Sequence, residues 1–217
     1  ENCEKTAGKG LMCMFSGNHD VDRLARHLHG DELKVAFAFI LSMPGAPFIY
    51  YGDEIGMRYV EGLKSVEGGY NRTGSRSPMQ WDDSAYGGFS DHTPWLGVNP
   101  NYKEINAASQ MADDSSVFRF YQKLIALRKE HPVMAHGDLH LCCPEEGPVI
   151  AYTRSYQEET LLAVHNFSQD VQKFQYAGTS LQPDTPVLLS NYPEQDICPE
   201  CEVLTLKPYE TVIFQLS

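Results

Sequence analysis

Two short, continuously apolar runs bracket a single helical stretch near the start of this chain, and that arrangement narrows the fold more than any other feature. Leu11 to Phe15 (LMCMF) and Phe48 to Tyr51 (FIYY) both end in polar, glycine-bearing segments, the pattern of strands buried on both faces. Between them Asp31 is placed to cap a helix. Leu33, Val35, Ala36, Phe37, Phe39, Ile40 and Leu41 make its later part apolar almost all round, so it is expected beneath other layers, and Pro44-Gly45 ends it. The spacing matches a βαβ unit of roughly 30 residues, which implies parallel strands joined by a crossover helix.

From Gly52 to about Ser115 there is little periodicity and much Gly, Pro, Asn, Asp and aromatic side chain, including Gly68-Gly69-Tyr70. A connection this long is usually functional. Val117, Phe118, Phe120, Tyr121, Leu124, Ile125 and Leu127 then return at helical spacing, with Ser115 or Ser116 as cap and Arg128 and Lys129 in the last turn. Beyond His136 the period becomes two, with strands expected near Val149 to Thr153, Thr160 to Asn166, Val171 to Tyr176, Pro186 to Leu189 and Thr211 to Leu216. Turns are expected at Glu146-Gly147-Pro148 and Leu181-Gln182-Pro183-Asp184. The expected division is residues 1–135 as an α/β portion and 136–217 as a small antiparallel β-sandwich.

Charge excludes some function classes. With 29 acidic against 17 basic residues the net charge is -12, the wrong sign for a nucleic-acid or anionic-membrane partner. No run approaches the roughly 18 apolar residues that span a bilayer. The first residues, ENCEKTAGKG, show no secretory signal pattern, and the chain reads as starting within a larger protein. Cys3, Cys13, Cys142, Cys143, Cys198 and Cys201 lack the density of a disulfide scaffold, so reduced thiols and a cytoplasmic location are expected. Cys198 and Cys201 have zinc-knuckle spacing without a second ligand pair, which favours a turn between strands. Cys142-Cys143 is expected within a strand, one side chain facing in.

The densest polar group is Ser16-Gly17-Asn18-His19-Asp20, directly after the first apolar run. The carboxyl ends of strands are where sites form in parallel α/β architectures. The same five residues also suit an N-cap and turn. Gly52-Asp53-Glu54-Ile55-Gly56 repeats the arrangement after the second run. There an internal salt bridge or helix-start role is favoured over ligand binding.

These segments, together with Arg76-Ser77-Pro78-Met79-Gln80-Trp81-Asp82, Pro94-Trp95 and Val98-Asn99-Pro100-Asn101-Tyr102, resemble glycoside hydrolase family 13, the α-amylase family, in its oligo-1,6-glucosidase and α-glucosidase branch. The ordered set runs from about Leu11 to the C-terminus. The resemblance implies an α/β plus all-β chain: the C-terminal portion of a (β/α)8 TIM barrel, contributing its last two strands and helices, then a β-sandwich. It implies that Asp20 is the family's transition-state-stabilising carboxylate, which hydrogen-bonds sugar hydroxyls as the ring distorts. His19 and Asn18 would bind the same sugar. Arg76 would approach the sugar or the carboxylates, with a salt bridge to Asp53 or Glu54 as the structural alternative. Trp81 and Trp95 could stack on sugar rings, although packing of the loop is favoured.

The resemblance leaves a gap. A retaining glycosidase needs a nucleophile and an acid/base about 5 to 5.5 Å apart, and no segment here resembles either family motif. The chain is therefore expected to be inactive alone, with an α-linked oligosaccharide as the parent's ligand and self-association or pairing with the missing N-terminal barrel portion covering its apolar strands. No cofactor or metal is assigned. A transglucosylase or isomerase such as a trehalose synthase, or a non-catalytic carbohydrate-binding module, remain alternative readings.

Overall fold

The computed structural model describes residues 9–64, 72–143, 146–178, 181–198 and 203–217. Gly68-Gly69-Tyr70, Cys3 and Cys201 lie outside them. Two compact units are present, one built from the residues up to Met14 with Lys34–Pro47 and Lys123–Ser217, the other from Phe15–Leu33 and Phe48–Gln122.

The first unit holds most of the regular structure. β1 (Cys13–Phe15) and β2 (Ala46–Phe48) are neighbours in a two-stranded sheet, and between them runs α1 (Asp31–Ser42). The second strand thus lies two to three residues earlier than the FIYY run suggests. Gly45 sets that position. Its φ is 126°, and a Cβ there would stand 2.5 Å from the Met12 carbonyl oxygen, so only glycine lets the Ala46 N–H reach Met12 O at 2.8 Å. The expected burial of these strands is also not found, since Phe15 is 51% and Phe48 61% exposed. No described element covers them. The helix itself matches expectation: Val35, Phe37, Ala38 and Leu41 are buried, and none of its residues is fully exposed.

The C-terminal strands form two antiparallel sheets. β3 (Asp138–Leu141), β4 (Val149–Tyr156), β5 (Glu159–Asn166), β10 (Thr211–Gln215) and β7 (Val187–Ser190) pair in that order, and β6 (Gln172–Gln175), β9 (Val203–Leu206) and β8 (Asp196–Cys198) make the second sheet. Period-two patterning places Leu162, Val164, Val212 and Phe214 of the larger sheet against Phe174, Leu204 and Leu206 of the smaller. β3, β8 and β9 carry no strong turn-bounded alternation and are additions to the expected set. Cys142 and Cys143 follow β3 instead of lying in a strand, and both pack against the shared core. The turn at Leu181-Gln182-Pro183-Asp184 forms, with Thr185 N–H on Gln182 O at 2.9 Å.

The opposite face of the larger sheet is buried too. Tyr152, Arg154 and His165 point there, beneath α1 and the segment after α3 (Val117–Glu130). Phe39 of α1 meets Tyr152, His165 and Phe167 edge-on at 6.2, 5.9 and 5.7 Å. Ser42 Oγ, Tyr152 Oη, His165 and Thr211 Oγ1 form a hydrogen-bonded chain through this layer, with separations of 2.6, 3.0 and 2.7 Å. Two arginines close the carbonyl end of α1. Arg128 donates to Leu41 O and, at 3.2 Å, to Met43 O; Arg154 donates to Ser42 O, to Met134 O at 2.8 Å and to Gly137 O at 2.7 Å. Cations there complement the helix dipole and satisfy carbonyls that have no partner within the helix. These contacts are why residues 34–47 and 123–136 form one unit with the β strands.

The second unit is mostly irregular, as expected of the long connection. Short 3-10 turns at Asp53–Ile55, Thr73–Arg76, Ala85–Gly88 and Pro100–Lys103 precede α2 (Ala107–Ala112). Its small apolar cluster is Ile55, Met57 and Met79, with Phe118 of α3 packed against it. Ser116 is the cap of α3, its Oγ accepting from Arg119 N–H at 3.1 Å. Among the described residues no helix is long and apolar enough to cross a membrane, and no cluster of His, Cys, Asp and Glu could hold a metal ion.

Candidate active site

Phe15 leads directly into Ser16-Gly17-Asn18-His19-Asp20. Asn18 Oδ1 accepts from the Asp20 N–H at 2.7 Å, a side-chain turn that fixes the direction in which Asp20 leaves the backbone. Asn18 is therefore committed, through its oxygen, to shaping the turn. Asp20 and His19 both remain exposed.

Two guanidiniums converge on Asp20. Arg76 Nη2 donates to Asp20 Oδ1 at 2.9 Å, and Arg72 Nη1 lies 2.9 Å from the same oxygen. Arg76 Nε also donates to the His19 carbonyl oxygen at 2.9 Å, so one side chain grips the loop by main chain and carboxylate together. His19 Nε2 stands 3.5 Å from Asp20 Oδ2. All four residues singled out in the sequence, Asn18, His19, Asp20 and Arg76, are thus brought together. The structural alternative for Arg76, a bridge to Asp53 or Glu54, gives way to Asp20.

Asp53 has a different partner. It is buried, with Arg23 Nη1 3.3 Å from Oδ1 and the Ser16 hydroxyl donating to Oδ2. The internal salt bridge expected for this acidic pair is present, and it is made with Arg23. Burial pushes the Asp53 carboxyl above its usual range, opposed by the Ser16 hydrogen bond and by Arg23. The Arg23 guanidinium sits 4.7 Å from both the Tyr50 and Tyr51 ring centroids, and it donates to Tyr51 O at 2.6 Å and to Ser75 O at 3.1 Å.

Ser75 completes the support. Its hydroxyl donates to Val21 O at 2.6 Å, and its carbonyl also accepts from Tyr50 Oη at 3.0 Å. Tyr51 Oη donates to Ser77 O at 2.7 Å. Both neighbours of Arg76 are therefore tied down, one of them to the residue after Asp20. Arg72, Arg23 and Ser75 escaped sequence reading, and Ser16 was placed in the polar group without a partner. Arg72 left one signal, a basic residue four positions before Arg76.

Beside Arg76 opens a cleft of about 460 Å³, lined chiefly by Tyr51, Glu54, Ser77, Trp81, Phe89 and Trp95. The indoles do not pack the loop as expected: Trp81 is 52% and Trp95 75% exposed. The loop is held instead by its own polar contacts. Gln80 Nε2 donates to Asn101 Oδ1 at 3.0 Å, and Trp81 N–H donates to Gly87 O at 2.8 Å.

Residues 1–137 match the α-amylase catalytic domain. The chain belongs to the α-amylase family. Residues 149–213 match the C-terminal domain described for the α-amylase SusG. Among curated α-amylase-family proteins, an oligo-1,6-glucosidase of Halalkalibacterium halodurans is 34% identical over 94% of this chain and 42% of its own length. A trehalose-6-phosphate hydrolase of Bacillus subtilis is 32% identical over 97% of this chain and 43% of its own. A solved trehalulose synthase superposes with a TM-score of 0.87 at 30% identity, over 99% of this chain and 45% of that one. The chain therefore spans less than half the length of these relatives. Family membership carries with it the α-amylase architecture of a TIM barrel followed by a C-terminal β domain.

Proposed function

We propose that this chain is the C-terminal part of a retaining α-glucoside hydrolase acting on α-linked gluco-oligosaccharides, with Asp20 as its transition-state-stabilising carboxylate. The observation that carries the reading is the pairing of Asp20 Oδ1 with Arg72 and Arg76 at the end of β1. Both guanidiniums use the same oxygen. Oδ2, with His19 Nε2 at 3.5 Å, is left as the acceptor for a sugar hydroxyl. A carboxylate held this way orients a ring and gains strength in its hydrogen bonds as positive charge develops at the sugar. It does not attack carbon.

In this reading β1 and β2 are the seventh and eighth barrel strands, residues 1–135 are the barrel portion and 136–217 the small antiparallel sandwich. The family matches over residues 1–137 and 149–213 support that division. His19 and Arg76 bind the same sugar, and Asn18 holds the turn. The nucleophile and acid/base come from barrel segments outside this sequence, so the 217-residue chain by itself does not hydrolyse glycosides. Assays of the purified chain on maltose, isomaltose and an aryl α-glucoside are expected to show no turnover above background. Robust hydrolysis would overturn the proposal.

A second reading has support from the likeness to trehalulose synthase: the parent passes its glucosyl group to a second sugar instead of water. Product analysis of the assembled enzyme separates the two, since a hydrolase releases glucose and an isomerase returns a disaccharide.

A further inference from the structure

Cys142 and Cys143 have no part in the Asp20 site, and the fold gives them an unusual setting. The larger sheet pairs Leu141 with Tyr152, and Cys142 N–H donates to Ala151 O at 2.8 Å. Cys142 therefore shares the face of Ala151, which belongs to the core between the two sheets. Regular alternation would turn Cys143 to the opposite face, that of Tyr152. The chain instead bends at Cys143, and both side chains pack against the same core. Two neighbouring free thiols, both half-buried, thus lie on one side of the sheet.

Thiols so placed can join each other or share an ion, and geometry chooses between the two. A disulfide usually has its Cα atoms about 4.4 Å or more apart, whereas neighbours across a trans peptide stand at about 3.8 Å. A bond between these two sulfurs would be strained and easily reduced. An ion between them lengthens the bridge and relieves that strain. Thiolates select soft ions. Among the described residues no group of three or more His, Cys, Asp and Glu is placed to hold a metal, so these residues do not build a four-ligand zinc shell. What fits is an ion satisfied by two thiolates that carries its own third substituent, as organic trivalent arsenic does. The Cys142 thiol donates to His140 O at 3.4 Å, a weak bond readily given up when the proton leaves. Tyr176 lies close by, its phenol pushed up by burial and then by Cys142, and its ring offers the organic substituent an apolar neighbour.

We propose that Cys142 and Cys143 form a two-thiolate site for a soft, thiophilic ion of the trivalent arsenic class. With phenylarsine oxide, two arsenic–sulfur bonds form and the arsenic–oxygen double bond breaks. Both thiol protons leave with that oxygen as water, and no atom changes oxidation state. The site is independent of the Asp20 reading.

The test is phenylarsine oxide added to the full, reduced chain in excess glutathione, followed by peptide mapping. Glutathione displaces arsenic from single thiols and competes poorly with a chelate, because the second bond forms within one molecule. One adduct is expected on the peptide that carries Cys142 and Cys143, with both of its thiols protected from alkylation. Cys142→Ser and Cys143→Ser should each weaken binding at that peptide by at least about a hundredfold. Cys198→Ser should leave it within about twofold. The native chain should bind there about tenfold more tightly than a synthetic peptide of the same local sequence, since the fold holds both thiols to one side. Serine is close to cysteine in size, and the mapping of the wild type depends on no variant. An unmodified Cys142-Cys143 peptide in the wild type would overturn the site, as would equal displacement by glutathione from the wild type and both variants. A loss in Cys198→Ser as large as that in Cys142→Ser would overturn the two-residue site. Equal affinity of the native chain and the synthetic peptide would overturn the part given to the fold.

Discussion

Asp20 and Asp53 show how surroundings divide two similar residues. Each follows a short strand or strand-like run, and each meets arginine. Asp53 is buried against Arg23 and Ser16, where removing one partner would leave an uncompensated charge. Asp20 stays exposed with an oxygen to spare. The motif around Asp20 was legible because its turn chemistry is local: Asn18 bonds two residues ahead, and the sequence shows both ends of that contact. Arg23 and Arg72 were not, because their partners lie dozens of residues away and a lone arginine carries no local pattern. Trp81 and Trp95 were misread for a related reason. Apolar type favours burial only on average, and their loop is held by Gln80 and main-chain contacts.

His165 gives a prediction at this scale. It is fully buried between Tyr152 and Thr211, and burial pushes its pKa down to about 3 from 6.5. The folded value lies below the unfolded one, so its contribution to stability is complete above pH 6.5 and is lost as the pH falls through that value toward 3. The loss approaches about 1.4 kcal/mol for each pH unit. Urea unfolding of the wild type should therefore weaken between pH 6.5 and 4.5 more steeply than that of His165→Gln, which keeps hydrogen-bonding capacity without a titrating group. Parallel slopes would show that His165 is not buried neutral.

At the scale of elements, α1 and α3 were readable almost to the residue. A long apolar period and a serine cap are strong local signals, and Ser116 fills the predicted position. The second strand was not. FIYY has strand composition, but Tyr50 and Tyr51 are drawn toward Arg23, Ser75 and Ser77, and Gly45 fixes pairing at Ala46–Phe48. β4 and β5 are buried on both faces because the larger sheet lies between the smaller sheet and α1. Arg154 is the clearest link in that layer. Three carbonyls, of Ser42, Met134 and Gly137, accept from it, and of these Met134 O also accepts from Arg128 Nη1 at 3.1 Å. Arg154→Ala should cost about 3 kcal/mol or more, since buried acceptors lose their donor. Chemical denaturation would register this as a lower midpoint with an unchanged slope. A loss under about 0.5 kcal/mol, the range of ordinary surface substitutions, would contradict the role given to it.

At the scale of the whole molecule, the two units carry different parts of the account. One holds the C-terminal sheets with the end of α1; the other holds Asp20, its arginines and the aromatic cleft. A complete (β/α)8 barrel takes about 250 residues, and the relatives extend to more than twice the length matched here. Composition alone argues against nucleic acid and anionic membranes as partners through a net charge of -12. It could not locate a site, because that requires knowing which distant arginines meet which carboxylate.

The central claim is that Asp20 serves glycosidic bond cleavage once the rest of the barrel is supplied. The direct measurement is α-glucosidase activity of this chain mixed with a polypeptide carrying the upstream barrel strands, beside the same mixture made with Asp20→Asn. The account predicts activity in the first mixture and a fall of at least about a hundredfold in the second, the scale of losing an electrostatic contact to the transition state. Equal activity in both mixtures, or silence in a wild-type mixture shown to have assembled, would contradict it.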